Sequence, residues 1–208
     1  MKSKLLVNTL FTLFVMSYCP TFAMAQESKE NAISAETMKI TKQAAQNGDV
    51  NAQITLARLY ATGASVEKDP VKAAYWFTQA AEQDDPTAQT ILGGLYYNGD
   101  GVSVDFSKAV LWFEKAANHG FADAQYYTGL CYFNGTGVVQ DMTKAVTWYQ
   151  KAADQKYPQA ITSLASCYYQ GKGVAIDKEK GITLFHQAAD LGDETAKKVL
   201  DLIGAVGK

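Results

Sequence analysis

The sequence has few residues of the types on which most catalytic and metal sites depend. Only two histidines, His119 and His186, and three cysteines occur in 208 residues. Their spacing matches no metal-ligand motif, and the chain contains neither a G-x-S-x-G segment nor a complete phosphate-binding glycine loop. Both histidines fall at surface-type positions of predicted helices, where His119 suits an interaction with a helix end. We therefore predict no enzyme activity, no cofactor and no metal.

Neither sign of charge is in excess. The 19 Lys and Arg residues stand against 21 Asp and Glu residues, a formal net charge of -2. Domains that bind nucleic acid present a basic patch or stripe, and this chain has no such field. We therefore predict no nucleic-acid partner. The 48% hydrophobic content is sufficient for a packed interior.

The amino-terminal region lacks the roughly 20 consecutive apolar residues that span a bilayer. Its apolar stretch, residues 5–16, is interrupted by three polar residues, follows two lysines and precedes a small-x-small sequence at 23–25. This order is typical of a cleavable secretory signal. We predict that residues 1–25 are removed by a cut after Ala25 and that residues 26–33 form a flexible linker. The mature chain is then periplasmic or secreted and does not insert into the membrane.

Two alternatives keep the leader attached to the membrane. An uncleaved anchor would require a longer apolar run than the leader provides. Acylation at Cys19 would give a lipoprotein, but the bulky Tyr18 precedes this residue and Pro20 follows it, which makes a poor acylation site. Cleavage remains the favoured interpretation.

The rest of the chain contains a pattern that returns every 36 residues. Its recurring positions are Tyr60, Tyr96, Tyr132 and Tyr168, the loop glycines Gly63, Gly99, Gly135 and Gly171, and Asp69, Asp105, Asp141 and Asp177. A fixed period of this length is the signature of a stacked repeat protein. Four whole units fit, at residues 49–84, 85–120, 121–156 and 157–192.

Each unit contains two amphipathic helices of about 11 to 14 residues. The loop glycines suit the left-handed position at a helix end, and the aspartates suit the N-cap of the next helix. Tryptophans such as Trp112 are expected to fill the space between successive hairpins. We therefore expect Trp112→Ala to cost roughly 3–5 kcal/mol.

Helices at both ends are expected to cap the array. Ser34 suits the N-cap of an amino-terminal half-unit, and Asp193 suits that of a last helix through about Ile203. Leu200 and Ile203 are expected to face inward. Such terminal caps cover an otherwise exposed apolar face.

Cys131 and Cys167 occupy the same place in successive units, where other units have leucine. Equivalent atoms in packed helices lie roughly 10 Å apart. A disulfide requires Cα atoms within about 7 Å. We therefore predict free, buried thiols.

The second unit carries a family resemblance. Residues 88–117 read A-x-x-x-L-G-x-x-Y-Y-x-G-x-G-V-x-x-D-x-x-K-A-x-x-W-F-x-K-A-A, which closely resembles the Sel-one-like repeat, a relative of the tetratricopeptide repeat. The first unit departs from this pattern at Ser65, and the fourth departs at Gly181 and Leu184. The resemblance implies an all-α, right-handed α/α solenoid of four helix-turn-helix repeats with capping helices, over residues 34–208. It also implies a protein-binding scaffold.

One branch of this family consists of cysteine-rich secreted proteins with penicillin-binding or β-lactamase activity. Their repeats carry two cysteines eight residues apart. At these places the present chain has Ala81 and Gln89, Ala117 and Gln125, and Ala153 and Ile161. The resemblance to that branch is therefore absent at the residues that define it, and we do not expect its activity.

By analogy with tetratricopeptide arrays, the first helix of each pair lines the concave face and binds an unknown protein partner. The positions expected to line this face are Arg58, Tyr97, Asn98, Tyr126, Leu130, Phe133, Asn134, Tyr169 and Gln170. Aromatic and arginine side chains are good binding anchors. Tyr97, Phe133 and Tyr169 have an alternative role, packing against neighbouring hairpins.

Three functions from different classes follow. The first is an exported, monomeric, non-enzymatic adaptor of the bacterial periplasm. The second is a periplasmic immunity protein that neutralises a secreted toxin. The third, a cell-wall or β-lactam hydrolysing enzyme, is disfavoured because no catalytic constellation is present in the sequence.

Overall fold

The computed structural model describes the backbone of residues 35–206 and the side chains as far as Gly204. The predictions for the signal at 1–25, the linker at 26–33 and the N-cap at Ser34 lie outside these residues. No helix in the described part of the chain is long and apolar enough to span a membrane.

Residues 35–206 form ten α-helices and no strand. The helices are α1 Ala35–Gln46, α2 Val50–Thr62, α3 Pro70–Glu82, α4 Pro86–Asn98, α5 Phe106–Asn118, α6 Ala122–Asn134, α7 Met142–Asp154, α8 Pro158–Gln170, α9 Lys178–Asp190 and α10 Glu194–Val206. Each has 12 or 13 residues, within the predicted range. The four repeats and both terminal helices of the all-α prediction are thus present.

The chain divides into two compact units within α5, between Trp112 and Phe113. In unit 1, each of the helices α1 to α4 packs against the next. In unit 2, α6 to α10 do the same. Repeated helix pairs that pack consecutively are the architecture of an α/α solenoid, as predicted.

Local signals end and begin the helices as the sequence indicates. The four loop glycines adopt left-handed φ values from 70° to 81°. The four capping aspartates each accept a hydrogen bond from the backbone N–H three residues later, at 2.9–3.0 Å. In every repeat the aspartate's own N–H donates to the carbonyl of the recurring tyrosine at 2.9 Å. This bond joins the end of the first helix to the start of the second.

A lysine in the first turn of each second helix covers the same tyrosine. Lys72 Nζ lies 5.4 Å from the centroid of the Tyr60 ring, and Lys108 Nζ lies 5.2 Å from that of Tyr96. The two later repeats keep the arrangement. These contacts are exposed, so each contributes at most about 1 kcal/mol. The recurring tyrosine therefore serves the connection between two helices.

The aromatic residue at the centre of each repeat differs from the predicted one. Phe77, Phe113, Tyr149 and Phe185 are 0–2% exposed. The tryptophan that precedes the first three of them is only half-buried, Trp112 included. Successive residues of a helix are turned by about 100°, so only one of two adjacent rings can face the core directly. The prediction that Trp112 dominates the packing is therefore revised in favour of its neighbour.

Thr128 occupies a register that is leucine in the other three repeats. Leu56, Leu92 and Leu164 are 0–1% exposed and Thr128 is 0% exposed, yet its hydroxyl has no hydrogen-bond partner among the described residues. A buried, unpaired hydroxyl costs about 1–3 kcal/mol.

We expect Thr128→Leu to raise the free energy of unfolding by about 1–3 kcal/mol, because it removes that hydroxyl and adds apolar volume. Urea unfolding followed by circular dichroism measures the change. Thr128→Val is the control, because it deletes the hydroxyl at nearly constant volume and should retain most of the gain. A lower unfolding midpoint for both variants would show that the hydroxyl is satisfied.

Candidate partner-binding surface

The structure leaves three predicted contact residues of unit 1 accessible. Arg58 and Asn98 are exposed on the first helices α2 and α4. Tyr97 is half-buried, and its ring packs edge-on against Phe106 at a centroid distance of 5.3 Å. Tyr97 therefore has the packing role that the sequence analysis left open, although part of its ring still reaches the surface.

Three predicted contact residues of unit 2 are in its core. Tyr126, Leu130 and Phe133 are only 6%, 5% and 7% exposed. The Tyr126 ring lies 6.0 Å from that of Tyr149 and 5.5 Å from that of Tyr157. These side chains offer little area to a partner, and replacing them would remove core contacts.

The accessible residues of unit 2 lie where α6 and α8 end. Asn134 is exposed, while Tyr169 and Gln170 are half-buried. Lys172 Nζ lies 5.3 Å from the centroid of the Phe133 ring, and Lys178 Nζ lies 5.7 Å from that of Tyr169. We call Asn134, Tyr169, Gln170, Lys172 and Lys178 the unit 2 edge. It combines an aromatic ring, two carboxamides and two ammonium groups.

Sequence reasoning missed the two lysines of this edge. At the register of Lys172, the earlier repeats have Ala64, Asp100 and Thr136. A lysine found in only one copy is not required by the repeat. The comparison of equivalent loop positions could therefore have identified it before the structure did.

Sequence reasoning also missed an exposed apolar patch on unit 1. The second-helix patch consists of Val71, Tyr75, Val104, Phe106 and Leu111, with exposed fractions between 42% and 66%. Contiguous exposed apolar surface commonly marks a site of interaction. At the register of Val71 and Tyr75, the third repeat has Thr143 and Thr147. The fold therefore does not require apolar residues there.

Titratable groups in unit 2 are shifted by burial and by local pairing. The Tyr132 hydroxyl donates to Glu114 Oε1 at 2.7 Å, and this bond raises the pKa of Tyr132 to about 12. Burial raises the pKa of Asp123, even though its Oδ1 accepts from the Ala124 N–H at 2.8 Å.

His119 and His186 are both exposed. In residues 35–206, no cluster of three or more His, Cys, Asp or Glu side chains could hold a metal ion.

Cys131 and Cys167 are free and buried, as predicted. Burial raises the pKa of both thiols to about 12. A thiol is nucleophilic as its thiolate, which is scarce at neutral pH when the pKa is so high.

We expect native protein at pH 8 to react with a thiol reagent at less than about one hundredth of the rate of unfolded protein. Quantitative labelling in and out of denaturant measures this. Because the folded pKa values are raised, the stability that the neutral thiols provide is complete below pH ~8.5 and decreases as the pH rises towards 12. Fast labelling of the native protein would contradict the buried placement.

A glutamine amide spans the positions that cysteine pairs occupy in the cysteine-rich relatives. Gln89 Nε2 donates to the Ala81 carbonyl at 3.4 Å, and Gln125 Nε2 donates to the Ala117 carbonyl at 3.2 Å. Gln155 Nε2 in turn donates to Gln125 Oε1 at 2.8 Å. A hydrogen bond therefore joins consecutive helices at these positions.

Repeated helix pairs of constant length, each joined through a left-handed glycine and a capping aspartate, define the class of α/α repeat proteins. Within that class the Sel1 repeat profile matches residues 50–85, 86–121, 122–157 and 158–193, and the chain belongs to the Sel1 repeat family. Sel1 repeat proteins generally act as scaffolds for protein–protein interaction and are typically non-enzymatic.

Several solved structures are similar to this chain. A Sel1 repeat protein from Oxalobacter formigenes is 33% identical, with a TM-score of 0.72 over 86% of this chain and 53% of its own. A protective antigen of uropathogenic Escherichia coli strains with the same repeat fold is 27% identical, with a TM-score of 0.62 over 93% of this chain and 50% of its own. The present chain thus spans about half the length of both.

The cysteine-rich branch is also represented. Cysteine-rich protein B of Helicobacter pylori is 27% identical, with a TM-score of 0.51 over 66% of this chain and 99% of its own. The chain has no significant match among curated proteins.

Proposed function

We propose that this chain is an exported, non-enzymatic scaffold that binds a protein partner in the bacterial periplasm. We propose the unit 2 edge as the surface that contacts this partner. The proposal rests on the difference between residues that recur in the repeats and residues that occur in a single copy. The recurring residues make caps, turns and core contacts, while Lys172 and Lys178 of the unit 2 edge each occur in only one copy at their register.

The chemistry of the unit 2 edge suits a polypeptide ligand. Asn134 and Gln170 occupy the same register of successive repeats, and their carboxamides can both donate to and accept from a peptide backbone. Tyr169 offers a ring with few rotatable bonds, which is favourable for a binding anchor. Lys172 and Lys178 add two positive charges beside the aromatic rings. Side chains from two successive repeats are thus available to one partner.

Export is supported by the leader pattern and by the family, whose members are often extracytoplasmic. Amino-terminal sequencing of protein from the periplasmic fraction should find Gln26 as the first residue. A chain that retains its first 25 residues in the membrane fraction would contradict export by cleavage.

Site-specific crosslinking tests the contact surface. A photoreactive amino acid replaces Tyr169 in one variant and the exposed Thr183 of α9 in a matched control. We expect the first to crosslink one stoichiometric partner in intact cells and the second to crosslink none. The purified partner should then bind at least about tenfold more weakly to Asn134→Ala/Tyr169→Ala/Gln170→Ala than to the wild type.

The outcome also separates the scaffold from its alternative. A partner that belongs to envelope assembly supports the scaffold, whereas a secreted toxin inactivated by the complex supports an immunity protein. Equal crosslinking from both positions, or unchanged affinity in the triple variant, would remove the partner site from the unit 2 edge.

A further inference from the structure

The second-helix patch of unit 1 shares no residue with the unit 2 edge. Its members come from α3, from α5 and from the connection that precedes α5. A Cβ atom at Gly101 would overlap the Pro70 carbonyl, so this connection lies directly against the start of α3, beside Val71. The connection also carries Val104, and Phe106 follows as the first residue of α5. This contact brings Val71 of one repeat close to the connection that carries Val104 in the next. Tyr75 lies one turn after Val71 on α3, and Leu111 occupies the same register on α5, the equivalent helix of the next repeat.

The area of the patch is that of the apolar part of a protein interface. From their exposed fractions, its five side chains present about 500 Å² to solvent. An interface of standard size covers about 800 Å² on each partner, and a little over half of that is apolar. The patch therefore supplies the apolar share of one side of such an interface.

The charges around the patch are balanced, and this balance favours a second copy of the chain as the occupant. We call the charged residues within four positions of Val71 or Phe106 in the sequence the rim. They are Glu67, Lys68, Asp69, Lys72, Asp105 and Lys108, three acidic and three basic residues. Lys72 Nζ lies 2.8 Å from Asp69 Oδ2, and Lys108 Nζ lies 3.5 Å from Asp105 Oδ2. Two identical surfaces related by a twofold axis must be self-complementary. A rim with no net charge avoids the overall repulsion that a surface of one sign would have toward its own copy.

We propose that the chain forms a twofold-symmetric homodimer through the second-helix patch of unit 1. This replaces the monomer that the sequence suggests. The later repeats provide an internal reference, because the registers of Tyr75 and Leu111 hold Thr147 and Thr183 there. Polar residues at these registers are compatible with the fold, so their apolar counterparts in unit 1 are available for contact with the second copy.

Sedimentation equilibrium of the purified, signal-free protein tests the proposal, from roughly 1 μM to 100 μM, the range of weak and moderate interfaces. We expect a concentration-dependent dimer. Tyr75→Glu/Leu111→Glu should weaken dimerisation at least tenfold, while Thr147→Glu/Thr183→Glu, with the same charge change at the same registers, should leave it unchanged. Val71→Thr/Tyr75→Thr introduces the residues that the third repeat has at these registers, Thr143 and Thr147. This variant tests the patch even if the glutamate variant fails to fold. It should also weaken the dimer, with a circular dichroism spectrum like that of the wild type.

Three outcomes would overturn the proposal. The first is a wild-type monomer throughout that concentration range. The second is a dimer that both patch variants retain, because the interface would then lie elsewhere. The third is equal loss in the patch and control variants, which would indicate a general effect of charge. Crosslinking at the unit 2 edge is measured independently, so failure of the dimer leaves the proposed partner site untouched.

Discussion

Phe77→Ala is expected to lower the free energy of unfolding by about 3–5 kcal/mol, one of the two largest effects of a single substitution in this protein. The Phe77 ring is 0% exposed and belongs to a cluster with Ala57, Leu92 and Leu95. Alanine removes most of a phenyl ring from that cluster, and the surrounding helices can close the resulting cavity only in part. Thermal and urea unfolding followed by circular dichroism measure the change.

Trp76→Ala is the matched control, because Trp76 precedes Phe77 and packs against the same cluster while only half-buried. Its ring retains contact with water, so its removal should cost clearly less than removal of the smaller Phe77 ring. The same reasoning lowers the expected cost of Trp112→Ala. A larger loss for Trp76→Ala than for Phe77→Ala would show that the tryptophan is the central residue after all.

Gly101→Ala should be similarly damaging for two separate reasons. Gly101 has a φ of 73°, and a side chain in that left-handed conformation costs roughly 1–2 kcal/mol. The added Cβ would also overlap the backbone carbonyl of Pro70, which cannot move aside as a flexible side chain can. Overpacking of this kind costs about 1–3 kcal/mol. We therefore expect a total loss of about 2–5 kcal/mol in urea unfolding.

Gly48→Ala separates the two contributions. Gly48 has a φ of 93°, and a Cβ there would meet nothing within 4 Å. Its substitution should therefore carry only the conformational cost. If Gly48→Ala and Gly101→Ala destabilise the protein equally, the connection after α4 does not press on the start of α3. The contact that joins the members of the second-helix patch would then also be in question.

The two proposals divide the surface of the protein between different tasks. The unit 2 edge is polar and positively charged, whereas the second-helix patch is apolar with a balanced rim. If both proposals hold, one dimer carries two partner sites, and titration of the purified partner should show one partner per chain.

The helix boundaries were predictable because they depend on nearest neighbours. Asp69 caps α3 through the N–H of a residue three positions later, and Gly99 ends α4 because its own backbone tolerates a left-handed φ. Ser65 has a positive φ at the register of Gly101, and Asp84 and Lys156 have one at the register of Gly48, so two other registers keep the left-handed backbone without glycine. Because each signal recurs in several repeats, it could be distinguished from residues that vary between copies.

The candidate surfaces were less predictable, because accessibility depends on what the rest of the chain covers. Tyr126 and Leu130 vary between repeats as contact residues would, yet neighbouring helices bury them. Phe106 and Tyr75 carry large aromatic side chains, yet they remain exposed. Hydrophobicity at a single position does not indicate which side of a helix another element covers.

The repeat, the length and ends of its helices, the family and the burial of the two thiols could all be predicted from the sequence. Each follows from contacts within one unit or from the identical copy beside it. Three contacts became known from the three-dimensional structure: Phe77 rather than Trp76 lies at the centre, Phe133 lies beneath Lys172, and Val71 lies beside the connection carrying Val104. These contacts depend on how side chains from separate helices and connections meet, and a 36-residue period specifies the neighbours without specifying their orientation.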